Sequence, residues 1–456
     1  MRPGAGATDP DTLLRLHERH PGRYPVLLES VGGGLELGRH DLLLALPGPT
    51  LVQHPDGRIE GPPAAAGHTR FLSALDACWR AERDHANAAA GLPFAGGWFL
   101  YLGYELAGEI EPTLRLPAAR LPRAVAWRMR GCVVRDRQSG ELALHAEVGL
   151  EDRLRTEFAA DLAGARAAAG AGAAGRAAVV EGEVSEEPAE RFLQGVRAVQ
   201  EAIGRGDVYQ ANLSRGWTAR LARSATPAEL YRRLRAANPA PFAGSAALPG
   251  FALLSSSPER LLRIRGNMAS TRPIAGTRPR GESASRDQAL RTELRLNEKE
   301  QAEHVMLVDL ERNDLGRICR GGTVRVDEFM TIETYATVHH IVSNVCGELR
   351  DGVTPGEAIA AVFPGGTITG CPKVRCMELL GELEGTPRDA YTGSMGYLGR
   401  DGTLDLNILI RTLAVRDGVV EFRTGAGIVA DSHPESELEE TRAKARGLLR
   451  ALGSNA

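Results

Sequence analysis

Residues 393–424 read GSMGYLGRDGTLDLNILIRTLAVRDGVVEFRT. Three runs stand out, Gly393 to Leu398, Leu406 to Val415 and Val419 to Thr424, each apolar or β-branched and each parted from the next by Gly and Asp, which is the pattern of short strands. A helical stretch, Glu435 to Leu452, follows them. Upstream the same alternation of strand groups and separate helices recurs. Strands are expected at Gln210 to Ala219, Phe251 to Ser257 and Arg260 to Arg265, and helices at Thr226 to Ala237, Arg286 to Glu311, Thr354 to Val362 and Lys373 to Glu382. Strands in sequential pairs with helices apart from them predict an α+β layering instead of a strictly alternating parallel sheet. Ser185, followed by Glu186 and Glu187, reads as the cap and acidic first turn of a helix whose apolar stripe is Phe192, Val196, Val199 and Ile203. Gly204 and Gly206 close it. Ala163 to Ala178 reads AGARAAAGAGAAGRAA, where neither periodicity nor turn chemistry survives, and marks a flexible connection. The chain thus divides into residues 1–162, with β-rich runs at Pro25 to Leu46 and Arg123 to Val148 and a helix at Thr69 to Ala90, a linker at 163–184, and residues 185–456.

Composition narrows the function. The chain has 456 residues, 43% hydrophobic and 25% charged, with 55 basic against 58 acidic side chains and a net charge of −3. That balance predicts neither a nucleic-acid footprint nor a polybasic membrane patch. No window approaches the ~18 consecutive apolar residues of a membrane span. The first twenty residues hold acids and arginines where a secretion signal has an apolar core, so a cytoplasmic protein is expected. Six cysteines (Cys78, Cys132, Cys319, Cys346, Cys371, Cys376) include no C-x-x-C pair and read as reduced fillers, not as zinc ligands or disulfides.

Several segments carry residue types suited to chemistry. Glu300 and Glu303, three apart on one expected helix, share a face, as do Glu437 and Glu440 on the last helix, with Lys444 four further on. Such pairs are either solvated charge faces or, if the helices converge, oxygen ligands for a hard cation such as Mg²⁺. Glu259, after a proline at the end of an apolar strand, is either a surface turn acid or a partly buried general acid. Arg272 to Gly281 sets three arginines among prolines and glycines, an anion-binding composition on a rigid loop, or simply an exposed basic one. Gly425-Ala426-Gly427 forms either a backbone nest for an anion or a strand-end turn. The glycines of Phe363 to Lys373 precede a helix whose N-terminus either binds an anion or simply begins there. His339-His340 is a doublet with no third ligand at metal spacing.

Taken in order, these segments resemble the chorismate-utilising enzyme family, which includes anthranilate, aminodeoxychorismate, isochorismate and salicylate synthases. The resemblance runs from LLES at 27–30 through PFAGG-x-x-x-YLGY from Pro93, GDVYQANLS from Gly206, SPER from Ser257, RPIAGTRPRG from Arg272, NEKE-x-AEH-x-MLVDL from Asn297 and FPGGTITG from Phe363 to GAGIVADS from Gly425. It implies a large, intertwined two-sheet α/β sandwich of the anthranilate synthase component I type, with helices outside. In it, residues 1–162 form the more variable part and residues 185–456 carry the substrate site.

Carried over by motif, the resemblance implies Mg²⁺ on Glu303 and Glu440, assisted by Glu300 and Glu437. It implies substrate contacts from Gly276, Thr277, Thr367, Tyr391, Arg411, Gly425, Gly427 and Lys444, proton donation by Glu259, and a ring-side role for His340. Gln210 occupies the position where water-using members hold a lysine base, so this chain is expected to use ammonia. Asn212, residues 238–244, His339-His340, Gly365 to Thr369 and Gly393 to Tyr397 resemble the aminodeoxychorismate branch. Ala275, where that branch usually has a nucleophilic lysine, and LLES, which resembles a tryptophan-sensing segment (Glu29, Ser30), point to the anthranilate branch. The expectation is amination of chorismate to 4-amino-4-deoxychorismate, with anthranilate formation as the alternative. Ammonia is then expected from a separate glutamine amidotransferase subunit, and a separate lyase is expected to act on aminodeoxychorismate.

Overall fold

The computed structural model describes residues 9–32, 38–84, 93–169, 178–335 and 338–454. Its strands pair antiparallel throughout and form one ribbon. In spatial order they are Val180–Glu186, Gln210–Leu221, Val419–Ile428, Thr412–Arg416, Phe251–Ser257, Phe242–Leu248, Val26–Glu29 and His40–Gln53. The ribbon continues through Ala124–Asp136, Gly97–Leu102, Ser394–Gly399, Leu404–Asn407, Arg260–Arg265, Met268–Arg272, Val338–Glu348 and Arg325–Thr334. Strands from the first third of the chain therefore sit between strands from the last: Leu28 lies opposite Gly244, and Leu102 opposite Ser394.

Side-chain alternation explains why the ribbon folds over. Val26, Leu42, Leu44, Phe99, Tyr101 and Leu253 share one core between the two layers. Their neighbours Leu27, Leu43 and Leu254 point the other way, beneath helices Thr12–Arg19, Glu151–Ala169, Pro227–Ala237 and Pro434–Leu452. Trp98, Leu100 and Leu102 do the same beneath Phe71–Glu82, Glu298–Gly316 and Pro355–Val362. The result is the two-sheet α+β sandwich with helices outside.

Several local expectations are corrected. The strand expected from Leu406 to Val415 is two, Leu404–Asn407 and Thr412–Arg416, because Arg411 adopts a left-handed φ of 51° and turns the chain between them. The helix expected from Arg286 to Glu311 breaks at Asn297. That residue ends Ala284–Leu296 and caps Glu298–Gly316, its Oδ1 accepting the Glu300 amide at 3.0 Å. Ser185 caps no helix. It pairs with Thr218 in a strand, Glu186 binds Arg215, Glu187 accepts the Gly216 amide, and the helix Ala189–Gly204 starts behind Pro188.

Gly425 to Gly427 form neither nest nor turn; they continue the strand opposite Ser214, Leu213 and Asn212. The basic run from Arg272 is likewise strand, and its arginines hold carboxylates: Arg272 binds Glu328 and Glu333, Arg278 binds Glu293 and Glu300, and Arg280 binds Asp287. Within the stretch 163–184, helix persists to Ala169 and strand begins at Val180, while 170–177 lie outside the described residues. Of the helix expected to reach Ala90, Phe71–Glu82 is observed and 85–90 lie outside the described residues.

Candidate active site

Glu259 lies at the turn between Phe251–Ser257 and Arg260–Arg265 and is 4% exposed. Its amide donates to Ser257 Oγ at 3.2 Å, and its Oε1 receives one backbone amide, that of Ile274, at 3.4 Å. Burial pushes its carboxyl up to about 7, against the opposing pull of the nearby Thr367 hydroxyl, the Ile274 amide, Arg411 and Lys444. Thr367 Oγ1 sits beside that carboxyl without a well-formed hydrogen bond. A buried carboxylic acid that keeps its proton near neutral pH suits a proton donor.

The left-handed turn at Arg411 delivers a cation to this acid. Burial pulls the guanidinium below its ordinary value while the Glu259 charge opposes the fall. No carboxylate lies within ion-pair distance of it among the described residues. Across the adjoining strands Thr277 pairs with His340, and Ala275 with Ile341. His340 Nδ1 meets Thr277 Oγ1 at 2.9 Å and the Gly276 carbonyl at 3.3 Å. Burial first, then the neighbouring Arg411 charge, lower the imidazole to about 3, so the ring is neutral. With Nδ1–H donating to Gly276, the buried Nε2 is a bare acceptor without a partner. Gly276 itself has φ 60°, and a Cβ there would stand 2.9 Å from Glu300 Oε2.

A second wall is built by the paired strands Gln210–Leu221 and Val419–Ile428. A Cβ on Gly425 would strike Asn212 Oδ1 and lie 2.7 Å from the Tyr391 hydroxyl; one on Gly427 would lie 2.5 Å from Gln210 Nε2. The two glycines thus leave room for three polar side chains to stand over the strand. Asn212 Nδ2 donates to the Thr367 carbonyl at 3.4 Å, which leaves Asn212 Oδ1 buried and unpartnered, as Gln210 Oε1 also is. Lys444 Nζ donates to the Gly425 carbonyl at 2.9 Å and contacts Glu440 at 2.7 Å. Buried orphan acceptors are rare in folded proteins. Four here, on Gln210, Asn212, Thr367 and His340, offer acceptors to a ligand's N–H or O–H donors, while the guanidinium of Arg411 beside them offers a charge to a carboxylate.

The carboxylates on the two helices divide. Glu300 contacts Arg278 at 3.2 Å and abuts Gly276. Glu303 is half-buried one turn on. Glu437 is buried and accepts from Ser432 Oγ at 2.7 Å, whereas Glu440 is half exposed. Among the described residues no three His, Cys, Asp or Glu side chains are gathered as a preformed metal cluster. The donor set is oxygen only, which suits Mg²⁺, an ion that binds through one or two carboxylates and completes its shell with water and ligand oxygens.

Glu29 and Ser30 lie apart from these groups, beside a cavity of about 390 Å³ bounded also by Arg39, Arg263, Met395 and Asn407. The Glu29 carboxylate is taken by Tyr231 at 2.7 Å and Arg235 at 2.8 Å, and Ser30 Oγ donates to the Pro241 carbonyl. Sequence reasoning passed over Arg388, Tyr335 and Glu311. Tyr335 stands edge-on to His340 at 5.6 Å. Glu311 is a buried carboxyl pushed up by burial and by Asp314, near Lys373 and Glu259. Glu311 and Arg388 lie in charged local sequence that looks solvent-facing until the tertiary packing is known.

Comparison with known proteins agrees with this geometry. A 384-residue match, 42% identical, links the chain to an anthranilate synthase component I-like protein of Synechocystis, covering 84% of this chain and 78% of that one. The aminodeoxychorismate synthase component 1 of Bacillus subtilis is 40% identical over 470 residues, 97% of this chain and 95% of its own. The crystal structure of anthranilate synthase component I from Streptococcus pneumoniae superposes with a TM-score of 0.78 at 28% identity, over 90% of this chain and 92% of that one. Residues 39–450 match the chorismate binding enzymes, and with the motifs, the two-sheet fold and a polar pocket all in agreement, the protein is a member of that family.

Proposed function

We propose that the protein aminates chorismate with ammonia to give 4-amino-4-deoxychorismate. The observation that carries this reading is a buried Glu259 raised to about 7 in a site where position 210 holds a neutral amide instead of a base. In the reaction the C4–O bond breaks and an N–C4 bond forms; Glu259 gives its proton to the departing oxygen, so water leaves in place of hydroxide. Gln210 lacks a basic group to activate water, while its unpartnered Oε1 accepts an N–H of ammonia, which is already a nucleophile. Asn212 Oδ1 offers a second acceptor on the same wall. Ala275 forms no covalent adduct, so ammonia reaches C4 directly or after first adding at C2. Arg411, Lys444, the Tyr391 phenol and the amides near Gly276, Gly425 and Gly427 share the two carboxylates of the substrate. Mg²⁺, held by Glu303 and Glu440 with Glu300 and Glu437 behind them, neutralises the ring carboxylate when bound. A glutamine amidotransferase subunit supplies the ammonia, and a separate lyase acts on the product.

The near end-to-end match to the B. subtilis aminodeoxychorismate synthase component supports this branch. Ala275 and the anthranilate synthase relatives favour the second reading, release of anthranilate and pyruvate. Purified protein incubated with chorismate, Mg²⁺ and ammonium salt separates the two. The expected product needs added aminodeoxychorismate lyase to become 4-aminobenzoate. Fluorescent anthranilate formed without any lyase would replace the first reading with the second.

A further inference from the structure

Arg388 is buried at 4% exposure, yet every hydrogen of its guanidinium is used. Nε donates to Glu384 Oε2 at 2.9 Å and Nη2 to Glu384 Oε1 at 2.7 Å, a two-pronged pair. The remaining hydrogens go to the Asn212 carbonyl at 2.7 Å, the Ile368 carbonyl at 3.1 Å and Thr392 Oγ1 at 3.3 Å. Its planar group also lies over the rings of Tyr104 and Tyr391, 4.8 and 5.5 Å from their centroids. Each acceptor is one step from a wall of the site. Asn212 carries the orphan amide, Ile368 follows Thr367, and Thr392 follows Tyr391 in a turn where Thr392 itself is held at φ 62°.

Glu384 extends the hub. It accepts Ser214 N at 2.9 Å and Ser214 Oγ at 2.8 Å, and Ser214 is the strand partner of Gly425. Burial alone would raise its carboxyl, but Arg388 and then Arg423 hold it below its ordinary value, so the pair is ionic. From the first third of the chain, Glu105 accepts the Arg388 amide at 2.7 Å. A planar fork with five fixed directions does what a lysine cannot, because an ammonium has neither the plane nor the reach to hold three separate segments at once.

We infer that Arg388, clamped by Glu384, is a positioning residue for the reaction: without touching substrate, it sets the Tyr391 phenol, the Asn212 strand and the Thr367 turn in the arrangement that receives the substrate carboxylate. The inference rests on the site reading given above. Burial pushes the Tyr391 phenol up to about 12 while the Arg388 charge pulls the other way, so the phenol keeps its proton and can donate it in a hydrogen bond to an anion.

The test is steady-state kinetics on folded Arg388→Lys and Glu384→Gln, with Tyr391→Phe alongside and folding checked by circular dichroism and thermal melting. Arg388→Lys is expected to raise the chorismate KM about tenfold or more, with kcat within about threefold. Glu384→Gln should shift the same constant in the same direction and serves if the lysine variant does not fold. Combining Arg388→Lys with Tyr391→Phe should cost less than the product of the separate effects. A merely structural arginine would lower kcat through loss of folded enzyme and leave KM in place, which would overturn the inference. An unchanged KM in Tyr391→Phe would instead show that substrate is not held at this wall, a failure of the functional reading itself.

Discussion

At the turn after Ser257, a buried carboxyl that receives one backbone amide at 3.4 Å holds its proton up to about neutral pH, and this sets a pH dependence. Glu259 is needed with its proton on. The fraction protonated falls as pH passes about 7, so kcat/KM should decline on the alkaline side, to about one-tenth of its plateau one unit higher. A pH profile of kcat/KM checks this. In Glu259→Gln that limb should vanish along with about 10²-fold or more of the rate; a limb that survived the substitution would belong to another group. The sign for stability agrees. A carboxyl raised above its unfolded value contributes fully below about 4.5 and loses that contribution as pH climbs to about 7. Glu29 and Glu105, also raised to about 7, act in the same direction. The proline before Glu259 and the apolar strand behind it made its burial readable. The neutral state of His340 was not readable, because it depends first on its burial and then on Arg411 arriving from a turn about seventy residues away in sequence.

Among the elements, the helix Glu298–Gly316 owes its start to Asn297, and that start aims Glu300 and Glu303. Periodicity runs unbroken through Asn297, with no proline or glycine to mark a stop, so one long helix is what the residues suggest. The break appears only when the asparagine side chain is seen to cap the second segment. The split strand at Arg411 was hidden for the same reason, since a bulky residue with positive φ has no composition cue. Thr226 and Thr354 were easier: each precedes a proline and a glutamate, and each does cap its helix. If Glu303 and Glu440 are the magnesium ligands, calorimetric titration of Mg²⁺ in the presence of chorismate should show binding to the wild type. In Glu303→Gln and Glu440→Gln it should weaken at least about tenfold, with thermal stability little changed. Undiminished Mg²⁺ affinity in both variants would remove these carboxylates from the metal site.

For the molecule as a whole, the interleaving of early and late strands is a property that local patterns do not encode. The pairing of Leu28 with Gly244 spans more than two hundred residues, and nothing near either residue names the other. The resemblance carried that topology; alternation along each strand supplied only the faces. The ribbon is long, and among the described residues its two ends are the strands Val180–Glu186 and Arg325–Thr334. An end strand exposes a row of unmet backbone donors and acceptors, which is a template for another chain. Val180–Glu186 bears Glu181, Glu183 and Glu186, and its register slips between Glu181 and Ser185, with Gly182 at φ 74°. Like charge and a kink together make this margin a poor seam for a second copy. Replacing Glu181 and Glu183 with threonine should leave catalysis as it is and make concentrated protein self-associate, visible as a rise in light scattering with concentration. On this reading the acids at this border serve solubility and not chemistry, guarding the sheet against growth by addition of a further copy.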